Sequence, residues 1–187
     1  MGLTKTAFKA AGWQFEGDVP TIPRFVALAV PHTSNWDGLL LLGATGAIDL
    51  DVHWMIKDQW LKGPFGFLLK PTGAIGIDRS KANNVVDQMV AEFARREKFV
   101  LFIPPEGTRK HSDTWRSGFY HIARGAKVPV VPGYLDYGRK RAGMGPPIEM
   151  TGDVKADMDK IRAFYAKVAP KPCKPELHGP IKLREEG

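Results

Sequence analysis

The chain has 187 residues and a formal net charge of +7. This length fits one domain with a sizeable core, and the charge favours anionic partners without choosing among nucleic acids, phosphorylated metabolites and acidic membranes. The single cysteine, Cys173, excludes an intrachain disulfide and a four-cysteine zinc site, and its Pro-Cys-Lys-Pro surroundings indicate a loop without a function of its own.

No long apolar run follows the N-terminal lysines, so we do not expect a cleaved secretory signal. The longest apolar run, residues 39–48, is too short to span a bilayer. We therefore expect a cytoplasmic protein. The N-terminal segment 1–23 mixes aromatic residues with lysines: Phe8, Trp13, Phe15, Lys5 and Lys9. This mixture suits a short helix in a lipid interface, which would make an anionic membrane surface a partner on the cytoplasmic face. A terminus that packs on the domain fits the sequence as well.

Short apolar runs then alternate with helical patterns, which predicts an α/β fold with a mostly parallel central sheet flanked by helices. The predicted strands are 24–30, 52–56, 74–77, 99–103 and 128–131, and the predicted helices are 36–47, 82–98, 117–124 and 156–168. Proline in the last strand favours a place near the sheet edge. The tail 170–187, rich in proline and charge, is predicted to be extended along the surface or loosely ordered. Nothing divides residues 1–187, so we expect a single domain.

The segment 31–37, with the sequence PHTSNWD, links the first long strand to a helix. Loops at strand ends carry the sites of many α/β proteins. With His32 in the loop and Asp37 in the first helical turn, the carboxylate can accept the Nδ1 proton of the imidazole and leave Nε2 free to take a proton. Ser34 or Asn35 can cap the helix. The spacing alone also fits a polar loop followed by a helix start, without catalysis.

Two later segments follow predicted strands in the same way. In 73–79 (GAIGIDR), glycines permit close approach to the backbone, and Arg79 can bind a phosphate through paired hydrogen bonds. In 104–109 (PPEGTR), Glu106 can accept hydrogen bonds from hydroxyl groups and Arg109 can bind a phosphate. Each segment taken singly also fits an ordinary turn with solvated charges.

The order and spacing of these segments resemble the glycerolipid acyltransferase family, whose members acylate glycerol-3-phosphate and 1-acylglycerol-3-phosphate. The family patterns Asn-His-x-Ser-x-x-Asp, Gly-x-Ile-Phe-Ile-x-Arg, Phe-Pro-Glu-Gly-Thr-Arg and Val-Pro-Ile-Val-Pro are similar to residues 31–37, 73–79, 104–109 and 128–132. The resemblance covers residues 24–137. It implies a glycerol-3-phosphate acyltransferase-like fold and an O-acyltransferase of phospholipid biosynthesis.

The resemblance also implies the substrates and the residues that act on them. The donor would be acyl-CoA or acyl-carrier protein, and the acceptor a lysophospholipid or a phosphorylated glycerol. His32 would be the general base and Asp37 its catalytic partner. The acceptor would be bound by a further set of residues: Lys57, Arg79, Glu106, Gly107, Thr108 and Arg109. No cofactor, metal or nucleic acid is expected.

Three residues depart from the family patterns. Pro31 replaces an asparagine, Gly76 an aromatic residue and Pro104 a phenylalanine. None of these changes removes a group that carries a proton or a charge, so we expect the reaction to be retained and the acceptor side to be enlarged or reshaped. The long hydrophobic N-terminal region of many relatives is also missing, so membrane binding should be peripheral.

Two other functions fit parts of the sequence. A thioester or ester hydrolase could use Ser34 close to His32, although no G-x-S-x-G motif is present. A non-catalytic module could bind anionic lipid or nucleic acid through its charge, notably through Arg139, Lys140 and Arg141.

Overall fold

A computed structural model describes residues 2–64, 66–78 and 82–186, with the backbone alone for 2–4 and 82–84. The helices are α1 (Gly2–Ala10), α2 (Trp36–Ala47), α3 (Asp58–Lys62), α4 (Gly66–Leu69), α5 (Ala82–Arg95), α6 (Gly118–Ala126) and α7 (Val154–Val168). The strands are β1 (Gln14–Glu16), β2 (Arg24–Val30), β3 (His53–Lys57), β4 (Ala74–Ile77), β5 (Phe99–Ile103), β6 (Val130–Asp136) and β7 (Arg141–Met144). Short 3₁₀ turns cover Lys70–Thr72, Pro175–Leu177 and Arg184–Glu186.

The strands form one seven-stranded sheet in the order β1-β7-β6-β2-β5-β3-β4. The strands from β6 to β4 are parallel, whereas β7 runs antiparallel to β6 and carries β1 parallel to itself. Helices connect the parallel strands, as such crossovers require. The predicted α/β class and mostly parallel sheet are therefore confirmed. The carboxyl ends of β2, β5, β3 and β4 meet at one edge of this sheet.

The central strand β2, with the sequence RFVALAV, is buried on both faces. Val26 and Leu28 belong to the larger core cluster, which contains side chains of α5, α6 and α7. Phe25 and Ala27 belong to a second cluster on the opposite face, against which α2 packs. Burial on both faces explains why the strand reads as a continuous apolar run. Each large apolar side chain buried in this way stabilises the fold by about 1.5–3 kcal/mol.

The proline suggests a strand near the sheet edge, but β6 is the third strand from one edge and lies between β2 and β7. Pro129 precedes the strand, and its carbonyl accepts the amide hydrogen of Val26 at 3.0 Å. Pro132 lies inside β6, and its carbonyl accepts the amide hydrogen of Gly145 at 2.7 Å. Proline has no amide hydrogen to donate to a neighbouring strand. β7 ends at Met144, so this missing donor lies where the hydrogen bonds between β6 and β7 end. An interior strand therefore tolerates this proline.

The N-terminal helix α1 packs on α2. Phe8 and Trp13 are only 3% and 5% exposed, and they share a small core cluster with Ala44 and Leu135. Gly43 permits the close contact, because a Cβ at this position would lie 2.8 Å from the Cβ of Phe8. The expectation that these two aromatic side chains face a lipid interface is therefore wrong. Packing on the domain, the alternative, is what the structure has.

The C-terminal segment 170–186 is packed against the domain, so of the two expectations for it, an extended course along the surface and loose order, the structure does not have the second. Leu183 is 1% exposed and belongs to the larger core cluster. Backbone hydrogen bonds join its neighbours to Trp115, whose amide donates to Lys182 and whose carbonyl accepts from Arg184. Nearer its start the segment reaches the carboxyl edge of the sheet, where the amide of Lys174 donates to Thr33 Oγ1 at 3.2 Å.

Candidate active site

Residues 31–37, here termed the histidine loop, leave the carboxyl end of β2 and enter the first turn of α2. The Asp37 carboxylate folds back over the loop, and its Oδ2 accepts the amide hydrogens of Thr33 and Ser34, each at 2.8 Å. The Ser34 hydroxyl in turn accepts the amide hydrogen of Trp36 at 3.2 Å. These local bonds satisfy the amides at the helix start and fix the path of the loop.

The fold brings the imidazole of His32 to the same carboxylate. His32 Nδ1 lies 3.4 Å from Asp37 Oδ2, and the two side chains are 19% and 5% exposed. This separation exceeds that of a standard hydrogen bond, so the two groups form a close charge contact. Within the described part of the chain, His32 Nε2 has no protein partner. One ring nitrogen is thus held toward a carboxylate, and the other is available to a substrate hydroxyl.

A third residue, Tyr137, binds the remaining oxygen of the carboxylate. From the loop between β6 and β7, its hydroxyl donates to Asp37 Oδ1 at 2.5 Å. Burial raises the pKa of the Asp37 carboxyl, but the nearby His32 ring and the hydrogen bonds from Tyr137 and from the amide of Ser34 outweigh burial and hold that pKa below its usual value. Burial and the contact with Asp37 raise the pKa of Tyr137, so its phenol stays protonated as a donor. The sequence analysis missed this residue, because no local pattern marks it.

Glu106, in the loop that follows β5, anchors the main chain of the histidine loop. It is 5% exposed, and its Oε2 accepts the amide hydrogen of His32 at 2.8 Å. Its Oε1 lies 3.3 Å from Nδ1 of His178, a residue of the C-terminal segment. Both carboxylate oxygens therefore have partners inside the protein. Direct contact between Glu106 and an acceptor stays a prediction.

A cleft of about 420 Å³ opens beside the histidine loop, a volume typical of ligand sites. Its wall consists of Thr33, Ser34, Asn35, Trp36, Arg109, Cys173, Lys174 and Leu177. His32 directly precedes these loop residues in the chain, although its ring is not part of the wall. Arg109 and Lys174 bring two cations to the cleft, and neither has a carboxylate partner among the residues that the structure describes. The C-terminal segment thus supplies part of the site.

Comparison with known proteins identifies the fold around this cleft. The sequence matches the Acyltransferase family over residues 15–136, more than half of the chain. The chain belongs to the acyltransferase family. The structure of the 1-acyl-sn-glycerophosphate acyltransferase PlsC from Thermotoga maritima is similar, with a TM-score of 0.62 and 18% sequence identity over 92% of this chain and 79% of that chain. At this identity the likeness establishes the shared fold. Among curated proteins, none matches the sequence.

The remaining predicted binding residues of the acyltransferase lie in different surroundings. Lys57 ends β3, is exposed and has no ion-pair partner among the described residues. Thr108 Oγ1 accepts the amide hydrogen of Lys110 at 3.1 Å, which stabilises the turn after Glu106. Arg79, the predicted phosphate ligand after β4, lies outside the described residues, so its role stays a prediction.

Gly107 is required by the backbone of its loop. Its φ of 68° lies in the left-handed region, and a Cβ there would lie 2.6 Å from Cδ of Arg116. The close approach places the Arg116 side chain over the loop that carries Glu106. Sequence reasoning missed this cation, because it lies seven residues beyond the motif.

Gly76 does not open space on the acceptor side. A Cβ at this position would lie 2.6 Å from Asp58 Oδ1 and 3.3 Å from Asp58 Cα. The missing side chain therefore lets α3 close onto β4. Gly76 therefore does not enlarge the acceptor side, because α3 occupies the space; a reshaped acceptor side stays a prediction.

The groups invoked for the two other functions are already engaged. Ser34 Oγ accepts an amide hydrogen at the start of α2, and it has no bond to the His32 ring within the described chain. In the basic cluster, Arg139 pairs with Glu16 and Asp136, and Arg141 lies 3.7 Å from Glu16. These contacts favour neither a serine nucleophile nor a free cationic surface at this cluster.

Proposed function

We propose that this acyltransferase moves a fatty acyl group from acyl-CoA or acyl-carrier protein to a hydroxyl of a lysophospholipid or a phosphorylated glycerol. The observation that carries the proposal is the geometry of His32, whose Nδ1 faces the buried Asp37 carboxylate while Nε2 is unpaired within the described chain. Membership of the acyltransferase family supports the reaction class.

The proposed reaction is direct transfer between the two substrates. His32 Nε2 takes the proton of the acceptor hydroxyl as its oxygen attacks the thioester carbonyl. The new C–O bond forms, the C–S bond breaks, and the proton passes from His32 to the departing thiolate. Asp37 stabilises the imidazolium that exists between these steps. Proton transfer of this kind contributes about 10² to 10⁴-fold to the rate, or about 3–5 kcal/mol.

We propose that cations near the carboxyl edge of the sheet hold the phosphate of the acceptor. Arg109 is suited to this role because its exposed guanidinium lies in the wall of the cleft and has no carboxylate partner within the described chain. Lys174 has the same surroundings, Lys57 ends β3, and Arg79 comes two residues after β4 in the sequence. Correct alignment of the two substrates can lower the barrier by about 7–11 kcal/mol. Glu106 would act by holding the histidine loop, in addition to any contact with the acceptor hydroxyls.

The test is an acyl-transfer assay with the purified chain. Labelled acyl-CoA and acyl-carrier protein are each incubated with lysophospholipids and with glycerol-3-phosphate, and the products are identified by mass. We expect an ester of one phosphorylated acceptor. Release of free fatty acid at the same rate with and without acceptor would instead indicate a hydrolase, and an acyl adduct on Ser34 would overturn the direct mechanism.

A further inference from the structure

Large apolar side chains are exposed mainly in one part of the described chain. Six of them are at least 36% exposed: Val19, Trp36, Leu39, Trp60, Phe67 and Leu68. All except Val19 lie in the first turns of α2 or in the connection that contains α3 and α4. Phe67 and Trp36 are the most exposed, at 71% and 64%. We term the five residues on α2, α3 and α4 the apolar face.

The two halves of the apolar face lie on the same side of the sheet. The crossovers from β2 to β3 and from β3 to β4 step in the same direction across the strand order, so right-handed connections place their helices on one face. The contacts agree. α2 packs on the cluster that contains Phe102, which pairs with Trp54 of β3. Two residues later in β3, on the same face of the strand, Ile56 pairs with Gly76, and Gly76 faces α3. α2 and α3 therefore lie on the same face of the sheet.

The charges around the apolar face are mostly positive. Residues 57–70 contain three lysines, Lys57, Lys62 and Lys70, and one acidic residue, Asp58. The carboxylate of Asp58 is paired with Lys62 at 2.5 Å. On α2, the acidic group is Asp37, which is buried beneath the histidine loop. The face therefore combines aromatic and aliphatic tips with exposed ammonium groups, and within these two segments the acidic side chains are paired or buried.

We propose that the apolar face is a docking surface for an anionic lipid bilayer. Trp60, Phe67 and Leu68 enter the interface, and the neighbouring lysines contact lipid phosphates. Across the described residues, no helix is long and apolar enough to cross a membrane, so the contact is a surface one. Trp36 belongs both to this face and to the wall of the cleft. If the proposed function holds, a lipid acceptor would reach the histidine loop directly from the bilayer.

The charge pattern favours a bilayer over a second copy of the chain. Two such faces placed together would bring lysines of the same sign into one interface, which costs free energy unless acidic groups intervene. Lipid phosphates supply that negative charge, and the acyl chains beneath them accept the apolar tips. A bilayer thus satisfies both features of the face.

The test measures vesicle binding without any substrate, so it does not depend on the proposed reaction. The purified chain is sedimented with vesicles of phosphatidylcholine alone and with vesicles that also contain phosphatidylglycerol. We expect binding to the anionic vesicles, weakened by salt. The combined variant Trp60→Ser, Phe67→Ser, Leu68→Ser should bind at least about tenfold more weakly, because its buried apolar area is lost. Val19→Ser should bind like the parent chain, because Val19 is the one large apolar side chain of the described residues that is exposed outside the face.

A second variant guards against a folding defect in the first. Lys62→Glu combined with Lys70→Glu keeps the apolar tips and should weaken binding to anionic vesicles by about fivefold or more per lysine, with little effect on neutral ones. Transfer to a short-chain acceptor in free solution should be unchanged in both variants. Parent-like vesicle binding by the serine variant would overturn the proposal. The proposal would also be overturned if the parent chain did not bind vesicles but formed a dimer in solution that the serine variant abolished. The face would then join two copies of the chain.

Discussion

The histidine loop and the cations of the cleft are built in opposite ways. In the loop, every polar group that orients His32 is satisfied within the protein: the Asp37 carboxylate accepts from two backbone amides and from Tyr137. In the cleft, Arg109 and Lys174 have no carboxylate partner within the described chain. The difference matches the two roles proposed for these groups. Groups that move a proton must be held in place before substrate arrives, whereas groups that bind a phosphate must keep their hydrogen bonds free for it.

The strongest way to break this comparison is to remove the proton acceptor. His32→Ala should lower kcat by about 10² to 10⁴-fold, because the other titratable group of the loop, Asp37, is buried and has both carboxylate oxygens engaged. The apparent affinity for the acceptor should change little, since the cleft cations remain. His121→Ala, which removes an exposed histidine of α6, is the matched control in the same kinetic assay. Turnover of His32→Ala equal to that of the control would exclude His32 as the base.

Removal of the carboxylate charge tests the rigid half of the comparison. Asp37→Asn should lower kcat by about 10²-fold, because the imidazolium loses its partner. It should also reduce the free energy of unfolding at neutral pH by about 1.5–3 kcal/mol, as expected for hydrogen bonds to a charged group. Asp18→Asn, on an exposed aspartate, provides the control. Both effects are measured by steady-state kinetics and by denaturant unfolding.

The pH dependence of the stability loss follows from the pKa of Asp37. That pKa is lower in the folded chain than its ordinary value of 3.8, so the ionised carboxylate stabilises the fold above about pH 4 and this contribution is lost as the pH falls through the folded pKa. The difference in unfolding free energy between the parent chain and Asp37→Asn should therefore shrink below about pH 4. A difference that stays constant with pH would contradict the role assigned to the charge.

A smaller effect is expected from Tyr137, which contacts the Asp37 carboxylate from a distant part of the sequence. Tyr137→Phe removes the hydrogen bond to Asp37 Oδ1 and should lower kcat by about five- to tenfold, which corresponds to one hydrogen bond. The pKa of Asp37 should rise toward its usual value, so the stability lost on acidification should be smaller and the loss should be complete at a higher pH. Tyr134→Phe is a close control, because that hydroxyl also donates to a carboxylate, Glu16 Oε1 at 2.8 Å. An acid transition displaced equally in both variants would refute a specific role for Tyr137.

The smallest effects should come from the free cations. Arg109→Ala and Lys174→Ala should each raise KM for the phosphorylated acceptor by about three- to tenfold with kcat nearly unchanged, because they hold a ligand in partly hydrated surroundings. Lys167→Ala on α7, an exposed lysine without an ion-pair partner among the described residues, controls for net charge. A fall in kcat without a change in KM would contradict a role in acceptor binding and would instead indicate that these residues act in the chemical step.

Regions with strong local patterns were predicted well. β2, β4, β5 and α2 have the bounds expected from the sequence, because their apolar runs and flanking glycine, proline or charged residues act locally. The short strands β1 and β7 were missed. Their three and four residues, QFE and RAGM, carry no alternation, and they are strands because each finds a partner far along the chain.

The sequence by itself determined the α/β class, the strand ends that carry the motifs and the pairing of His32 with Asp37, because each depends on residues that are close in the chain. Only the tertiary structure decided that Tyr137, His178 and Lys174 complete the surroundings of the site. Tyr137 lies 100 residues from Asp37, and His178 lies 72 from Glu106. Such contacts form only when the C-terminal segment and the β6–β7 loop pack at the carboxyl edge of the sheet. Local sequence preferences do not specify contacts between residues so far apart in the chain.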